Sequence, residues 1–153
     1  MKIREATRDD ASEVGALAEE FANYLRSLGD ETDFQFNAST YLRDGFGEEP
    51  AFKGLVAEID GKIAGYLLYH SGYDTDLAIR ILHVIDLYVR PDCRRQGVGR
   101  ALMERAGEIC ARAGGKRLFW GVYSPNRDAF EFYERLGARY TEDLKFMYLP
   151  LQG

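Results

Sequence analysis

Apolar residues recur along this chain with two different periods. Val14, Leu17, Ala18, Phe21 and Leu25 return at three- and four-residue spacing, which is one face of a helix. Asp9 or Asp10 caps its start and Gly29-Asp30 ends it, so the spacing predicts a helix of about 18 residues behind a short opening strand at 2–6. Residues 53–59 and 62–70 read as strands joined by Asp60-Gly61, a strong hairpin signal. Ile63, Gly65, Leu67 and Tyr69 alternate there with Lys62, Ala64, Tyr66, Leu68 and His70, and both sets are partly apolar, as where helices cover a sheet. A turn over 71–78 leads into a further strand at 79–89.

Val98, Leu102, Ala106, Ile109 and Ala113 then stripe a helix that begins at Gly97 or Val98 and stops at Gly114-Gly115. Residues 117–123 read as a strand. Pro125 or Asn126 opens a helix with Phe130, Tyr133 and Leu136 inward and Gly137 as its C-cap, and residues 139–149 return as strand. Residues 30–50 carry the weakest pattern: Asn37, Ser39 or Thr40 starts a short helix that stops at Gly45, and 45–50 is a loop, either a pocket wall or plain surface. Together these elements predict one domain over 1–153. It is an α/β fold with a mixed, mostly antiparallel central sheet flanked by helices and a parallel crossover around the 98–113 helix.

Composition narrows the partners. Of 153 residues, 46% are hydrophobic and 29% charged, enough for both a core and a wetted surface. The net charge of -5 argues against duplex nucleic acid, which favours a basic face. Cys93 and Cys110 are the only cysteines, too few for a disulfide framework. MKIREATRDD lacks the apolar run of a signal peptide and no segment has the length and apolarity of a membrane span, so a cytoplasmic setting is expected.

The most informative segment is DLYVRPDCRRQGVGRAL at 86–102. A strand opens through Arg90-Pro91 into Arg94-x-x-Gly97-x-Gly99 at a helix start. Helix N-termini offer unpaired N–H donors and partial positive charge, and glycine lets an anion approach the backbone. This is not the dinucleotide fingerprint, which belongs near the first strand with an acid about 20 residues on. Nor does the Gly-Lys-Ser/Thr of a phosphate loop follow. The residues read as a pyrophosphate site for a large phosphorylated cofactor.

Arg94, Gly97 and Gly99 resemble the Arg/Gln-x-x-Gly-x-Gly/Ala pattern of the GNAT superfamily of N-acetyltransferases. The resemblance covers nearly the whole chain. IREATRDDASEV is similar to that family's opening strand and helix, VIDLYVRPDCRRQGVGRALM to its central strand and cofactor helix, and NRDAFEFYERLGA to its later Asn-led helix. YLRDGFGEEPAFKGLVAE at 41–58 resembles the diamine (spermidine/spermine and thialysine) acetyltransferase subgroup.

The resemblance implies acetyl-CoA as cofactor. Backbone groups of Leu87, Tyr88 and Val89 would pair with the pantetheine amides where the strand splays near 87–88. Arg94 would begin a loop in which Arg95, Gln96, Gly97, Val98, Gly99 and Arg100 wrap the pyrophosphate, and Asn126 would add a contact besides capping its helix. It implies direct acetyl transfer to a small primary amine in a ternary complex, with Tyr133 as general acid. Transfer to a protein or peptide amine, and a non-enzymatic acyl-CoA-binding module, stand as alternatives. It also implies a homodimer whose C-terminal strands meet, for which LKFMYLPLQG at 144–153 has the apolar content.

Asp86 is an isolated acid among Val84, Ile85, Leu87 and Val89, costly unless paired. It is a candidate for gripping an ammonium or taking its proton; a structural salt bridge is the competing explanation. The subgroup's polyamine enzymes carry Glu-Asp where this chain has Ile85-Asp86, which favours smaller amines. His83 or His70 could relay a proton, and Cys93 lies near basic residues that would lower its pKa. The histidines and scattered acids make no metal cluster. Tyr24, Phe46, Tyr69, Tyr73 and Tyr88 are candidates for an aromatic pocket wall.

Overall fold

The hairpin at Asp60-Gly61 sets the centre of the sheet. Both residues take positive φ, 51° and 76°, the turn whose twist matches its strands. It joins β2 (Lys53–Ile59) to β3 (Lys62–Asp74). The computed structural model describes residues 1–153 and adds β1 (Lys2–Glu5) beside β2 and β4 (Ile79–Val89) beside β3, all antiparallel. Helix α3 (Val98–Arg112) crosses back over the sheet, so β5 (Gly115–Phe119) pairs parallel with β4, giving the order β1-β2-β3-β4-β5. The expected α/β class and parallel crossover are what the chain adopts.

Because β2, β3 and β4 are apolar on both sides, two cores form. Helices α1 (Ala11–Ser27) and α2 (Ala38–Gly45) lie over Val56, Tyr66, Leu68 and Tyr88. Helices α3 and α4 (Arg127–Arg135) lie over Leu55, Leu67, Tyr69, Leu82 and Val84, with Val98, Leu102 and Ala106 as the buried stripe of α3.

Several boundaries differ from the sequence reading for physical reasons. Asp10 does not cap α1: a short 3-10 turn (Arg8–Asp10) precedes the helix, and the Asp10 carboxylate instead accepts from the Thr7 N–H at 2.7 Å and from both arms of Arg4 at 2.8 Å. The 71–78 turn is shorter, since β3 stays paired through Asp74↔Ile79. The strand expected over 117–123 is the shorter and earlier β5. No strand forms over 139–149. A strand needs a hydrogen-bonding neighbour, and the outer edge of β5 pairs with nothing in this chain. The tail instead leaves Leu144, Phe146, Met147, Tyr148, Leu149 and Leu151 64–95% exposed.

A β-bulge interrupts the β3–β4 register. Leu68 faces Asp86 and Tyr69 faces Val84, so Ile85 is the extra residue, 40% exposed. It turns Asp86 to the α1 side along with Tyr66 and Tyr88.

Helix α3 packs on α4 through Gly99, where an added Cβ would come within 2.9 Å of the Phe132 ring. This glycine therefore has a helix-packing role in addition to its place in the loop that the sequence reads as an anion site. Gly99→Ala should destabilise the fold by about 1–3 kcal/mol, the usual cost of overpacking. Adding Phe132→Leu should return most of the lost melting temperature; a double variant no better than Gly99→Ala alone would refute the packing role.

Candidate functional site

Strand β4 loses one neighbour halfway along. Its parallel register with β5 ends at His83↔Phe119, so Val84–Val89 keeps β3 on one side and has no strand on the other. The opening thus starts several residues before the 87–88 position expected, because the chain leaves the sheet at Phe119 on its way to α4. The Arg90 N–H donates to the Ala64 carbonyl at 2.9 Å, which fixes the alternation: the backbone of Leu87 and Val89 faces the open edge, and that of Tyr88 faces β3. Tyr88 instead sends its ring to the α1 side, stacked on Phe21 at 5.1 Å.

Past this edge, a 3-10 turn (Pro91–Cys93) leads into the glycine loop. Arg95 and Gly97 both take positive φ, 64° and 79°. The N–H groups from Arg95 to Arg100 donate to no acceptor in the protein. Unpaired donors, two left-handed residues and the positive end of a helix together make an anion-binding concavity. A Cβ on Gly97 would meet nothing within 4 Å, so the space in front of it is open. These features, with the Leu87–Val89 edge that no strand covers, fit the extended, amide-bearing diphosphate ligand that the resemblance implies. Arg94, Arg95 and Arg100 are all exposed; the Arg94 Nε–H donates to the Val89 carbonyl at 2.9 Å, and the Arg100 guanidinium reaches the Arg135 carbonyl at 3.5 Å. Gln96 donates to the Asp92 carbonyl at 3.3 Å.

Asp86 and Tyr133 approach the same opening from opposite sides. Asp86 accepts a 3.4 Å hydrogen bond from the Tyr66 hydroxyl, yet burial pushes its carboxyl up to about 6. Tyr133 stands on α4 with its ring 4.8 Å from Trp120 and 5.1 Å from Phe132. Burial first, and then the Asp86 charge, push its phenol further above the ordinary tyrosine value. The Tyr133 phenol thus keeps its proton at neutral pH, and the Asp86 carboxyl changes protonation closer to neutrality than an exposed aspartate. Asn126 is buried: its side chain caps α4 by accepting from the Ala129 N–H at 3.3 Å, and also accepts from the Tyr24 hydroxyl at 3.0 Å.

Other candidates fall elsewhere. His83 and His70 are cross-strand partners whose ring nitrogens lie 2.9 Å apart, so each already has a partner in the other. Burial, then the His70 charge, lower the His83 pKa. Burial, followed by the Asp92 carboxylate, raises the Cys93 thiol, opposite to the lowering expected from basic neighbours. Cys110 is in the core. Of the aromatic candidates, Tyr69 is core, Tyr73 is exposed on the far end of β3, and Phe46 packs on Tyr41; Tyr24 and Tyr88 remain near the opening. Sequence reasoning missed Tyr66 and Trp120. The β3–β4 register signals the first, since it sets Tyr66 opposite Tyr88 and next to Asp86. No helix is long and apolar enough to cross a membrane.

Comparison with known proteins identifies the family and the fold. The profile of the Acetyltransferase (GNAT) family matches residues 16–138. The chain is similar to the thialysine N-epsilon-acetyltransferase of Bos taurus, 33% identical over 145 residues covering 90% of this chain and 83% of that protein. It is similarly related to the enzyme of that name from Sus scrofa, 32% identical over 90% of this chain and 83% of the other. A solved protein from Bacillus halodurans superposes with a TM-score of 0.80 at 27% identity, over 99% of this chain and 100% of its own.

The raised Asp86 carboxyl has a stability consequence. Below about pH 4 it is neutral in both folded and unfolded chains. Between that point and its folded value of about 6 only the unfolded chain ionises, so folding loses stability as pH rises through this window. Asp86→Asn should therefore melt higher than wild type at pH 8, with the gap narrowing as pH falls toward 4. An unchanged or lower melting temperature at pH 8 would show that the ionised carboxylate is well compensated.

Proposed function

The chain belongs to the GNAT acetyltransferase family and is an acyl-CoA-dependent N-acetyltransferase, and from that premise we propose that it acetylates a small primary amine by direct transfer in a ternary complex. GNAT acetyltransferases use acetyl-CoA as co-substrate; here the loop Arg94–Arg100 would hold its pyrophosphate, the Leu87 and Val89 backbone its pantetheine amides, and Asn126 the same arm. The observation that carries the reading is a raised carboxyl and a proton-bearing phenol, electrostatically coupled, beside the stretch of β4 that β5 leaves unpaired.

Bound acetyl-CoA supplies the acetyl group as a thioester. An ammonium cannot act as a nucleophile, so a proton must leave it first; Asp86 takes it, directly or through water, and at neutral pH is ionised and ready to do so. The Leu87 N–H, turned to the open edge, is the donor placed to stabilise negative charge on the carbonyl oxygen. The Tyr133 hydroxyl returns a proton to the thiolate sulfur. Asp86 is the single acid in this part of β4, and its neighbour Ile85 offers no second charge. This supports a short amine with one cationic group near the reacting nitrogen over a long polyamine. Two free thiols suit a reducing cytoplasm.

We further assign the chain to a homodimer, in which a second copy covers the exposed tail residues 144–151. The tail has strand-forming composition, and the Phe146 ring lies 6.1 Å from that of Phe119 at the end of the unpaired β5 edge. Light scattering at micromolar concentration should give twice the 17.4 kDa chain mass; a monomer would remove the assignment.

The function is tested by acetyl-CoA turnover over diamines, polyamines, amino acids, thialysine, aminoglycosides and peptides. Turnover is expected with short amines, and activity confined to peptides would overturn the acceptor class. Tyr133→Phe keeps the ring and removes the proton donor, so it should lower kcat roughly 10²–10⁴-fold with little change in CoA affinity. Near-normal turnover with chemistry rate-limiting would reduce Tyr133 to a packing residue.

A further inference from the structure

Arg94 opens the loop proposed to hold the cofactor's anion, yet this exposed side chain turns its Nε–H and its guanidinium plane onto the protein. Its Nε–H donates to the Val89 carbonyl at 2.9 Å, the same carbonyl that faces the open edge of β4. Its guanidinium carbon sits 5.5 Å from the centre of the Tyr24 ring and 5.6 Å from that of Tyr88. A planar cation over aromatic faces is held by their negative quadrupoles, an attraction that suits Arg better than the compact ammonium of Lys.

Tyr24 continues the connection. It stands near the C-terminal end of α1, and its hydroxyl donates to the Asn126 side chain at 3.0 Å, which in turn caps α4. One chain of contacts therefore runs from the edge of β4 through the glycine loop and α1 to the start of α4. These are the walls around the opening between β4 and α4. A second tie between α1 and β4 runs beside it, with Glu20 3.4 Å from the Tyr88 hydroxyl and 3.8 Å from Arg90.

We propose that Arg94 is a positioning residue: it braces the pantetheine-binding edge of β4 against α1 and acts on the cofactor through Val89 and Tyr24 rather than by meeting a phosphate. The proposal rests on the acetyl-CoA reading and refines it. Three groups, the Val89 carbonyl and the Tyr24 and Tyr88 rings, are held by this one side chain together. The anion is left to the unpaired N–H groups of the loop, which need no guanidinium to bind it.

Calorimetric titration separates the two roles. The ligands are coenzyme A and pantetheine, which keeps the amides but lacks the phosphates. A brace predicts that Arg94→Ala and Arg94→Lys lose affinity alike, by roughly tenfold for both ligands, since neither replacement can stack and donate to Val89 together. Tyr24→Leu, which leaves the arginine in place, should reproduce the loss, and Tyr24→Leu/Arg94→Ala should be no weaker than the worse single variant. A phosphate contact predicts the reverse: Arg94→Lys keeps most of the CoA affinity, pantetheine binding is unchanged, and the two substitutions add. Should Arg94→Ala not fold, Arg94→Lys and Tyr24→Leu still decide between them. Wild-type protein that fails to bind coenzyme A would overturn the acetyl-CoA reading itself, and the brace with it.

Discussion

A strand inside a sheet needs two neighbours, and half of β4 has one. Backbone N–H and C=O groups must find partners, so an unpaired stretch amid otherwise paired structure is either covered or used. The rest of the molecule is arranged around this stretch. The α3 crossover brings β5 alongside the first part of β4, then Phe119 ends the pairing and the chain turns away to α4. The glycine loop begins where β4 stops, and Asp86 and Tyr133 stand along the same gap. Removing the gap by extending β5 would leave every one of these residues folded and none of them in contact with a ligand.

The bulge at Ile85 works in the same place for a different reason. Side chains on a strand alternate strictly, so one extra residue reverses the facing of everything beyond it. With the bulge, Asp86 joins Tyr66 and Tyr88 on the α1 side rather than Leu67 and Leu87 on the α3 side. The carboxyl thereby enters a poorly hydrated space, which raises its pKa, and comes within reach of the Tyr66 hydroxyl. The molecule keeps a costly acid where its protonation changes close to neutral pH.

Much of this was legible in the chain. The hairpin, the long helices and the glycine loop have local causes, namely positive-φ turns, apolar stripes and caps, and the sequence displays local causes directly. The Asp86 and Tyr133 candidates were legible as residue types in a family pattern, but not their shared electrostatics, which depends on where β5 ends. The 139–149 segment carries the composition of a strand, and composition cannot supply the neighbour that a strand requires. Gly99 carries a second role that the pattern did not display: two glycines two residues apart looked like one device, and Gly97 serves the left-handed turn while Gly99 also makes room for Phe132. Nor was the Arg94 contact with Val89 legible, since charge type does not say which guanidinium turns back onto the protein.

The open stretch Val84–Val89 is about 20 Å long at roughly 3.3 Å per residue. One of its ends lies next to the glycine loop, and Asp86 stands three residues back from that end on the same rigidly paired strand. It is therefore a ruler. A donor anchored by its phosphates has its reactive sulfur delivered at a set mark, whatever acyl group it carries. Lengthening that group cannot push the donor back; each added carbon must project forward past Asp86. On the proposed acetyl-CoA reading, acyl length and acceptor size would be drawn from one volume, so that the choice of donor and the choice of amine become a single geometric property of the same strand.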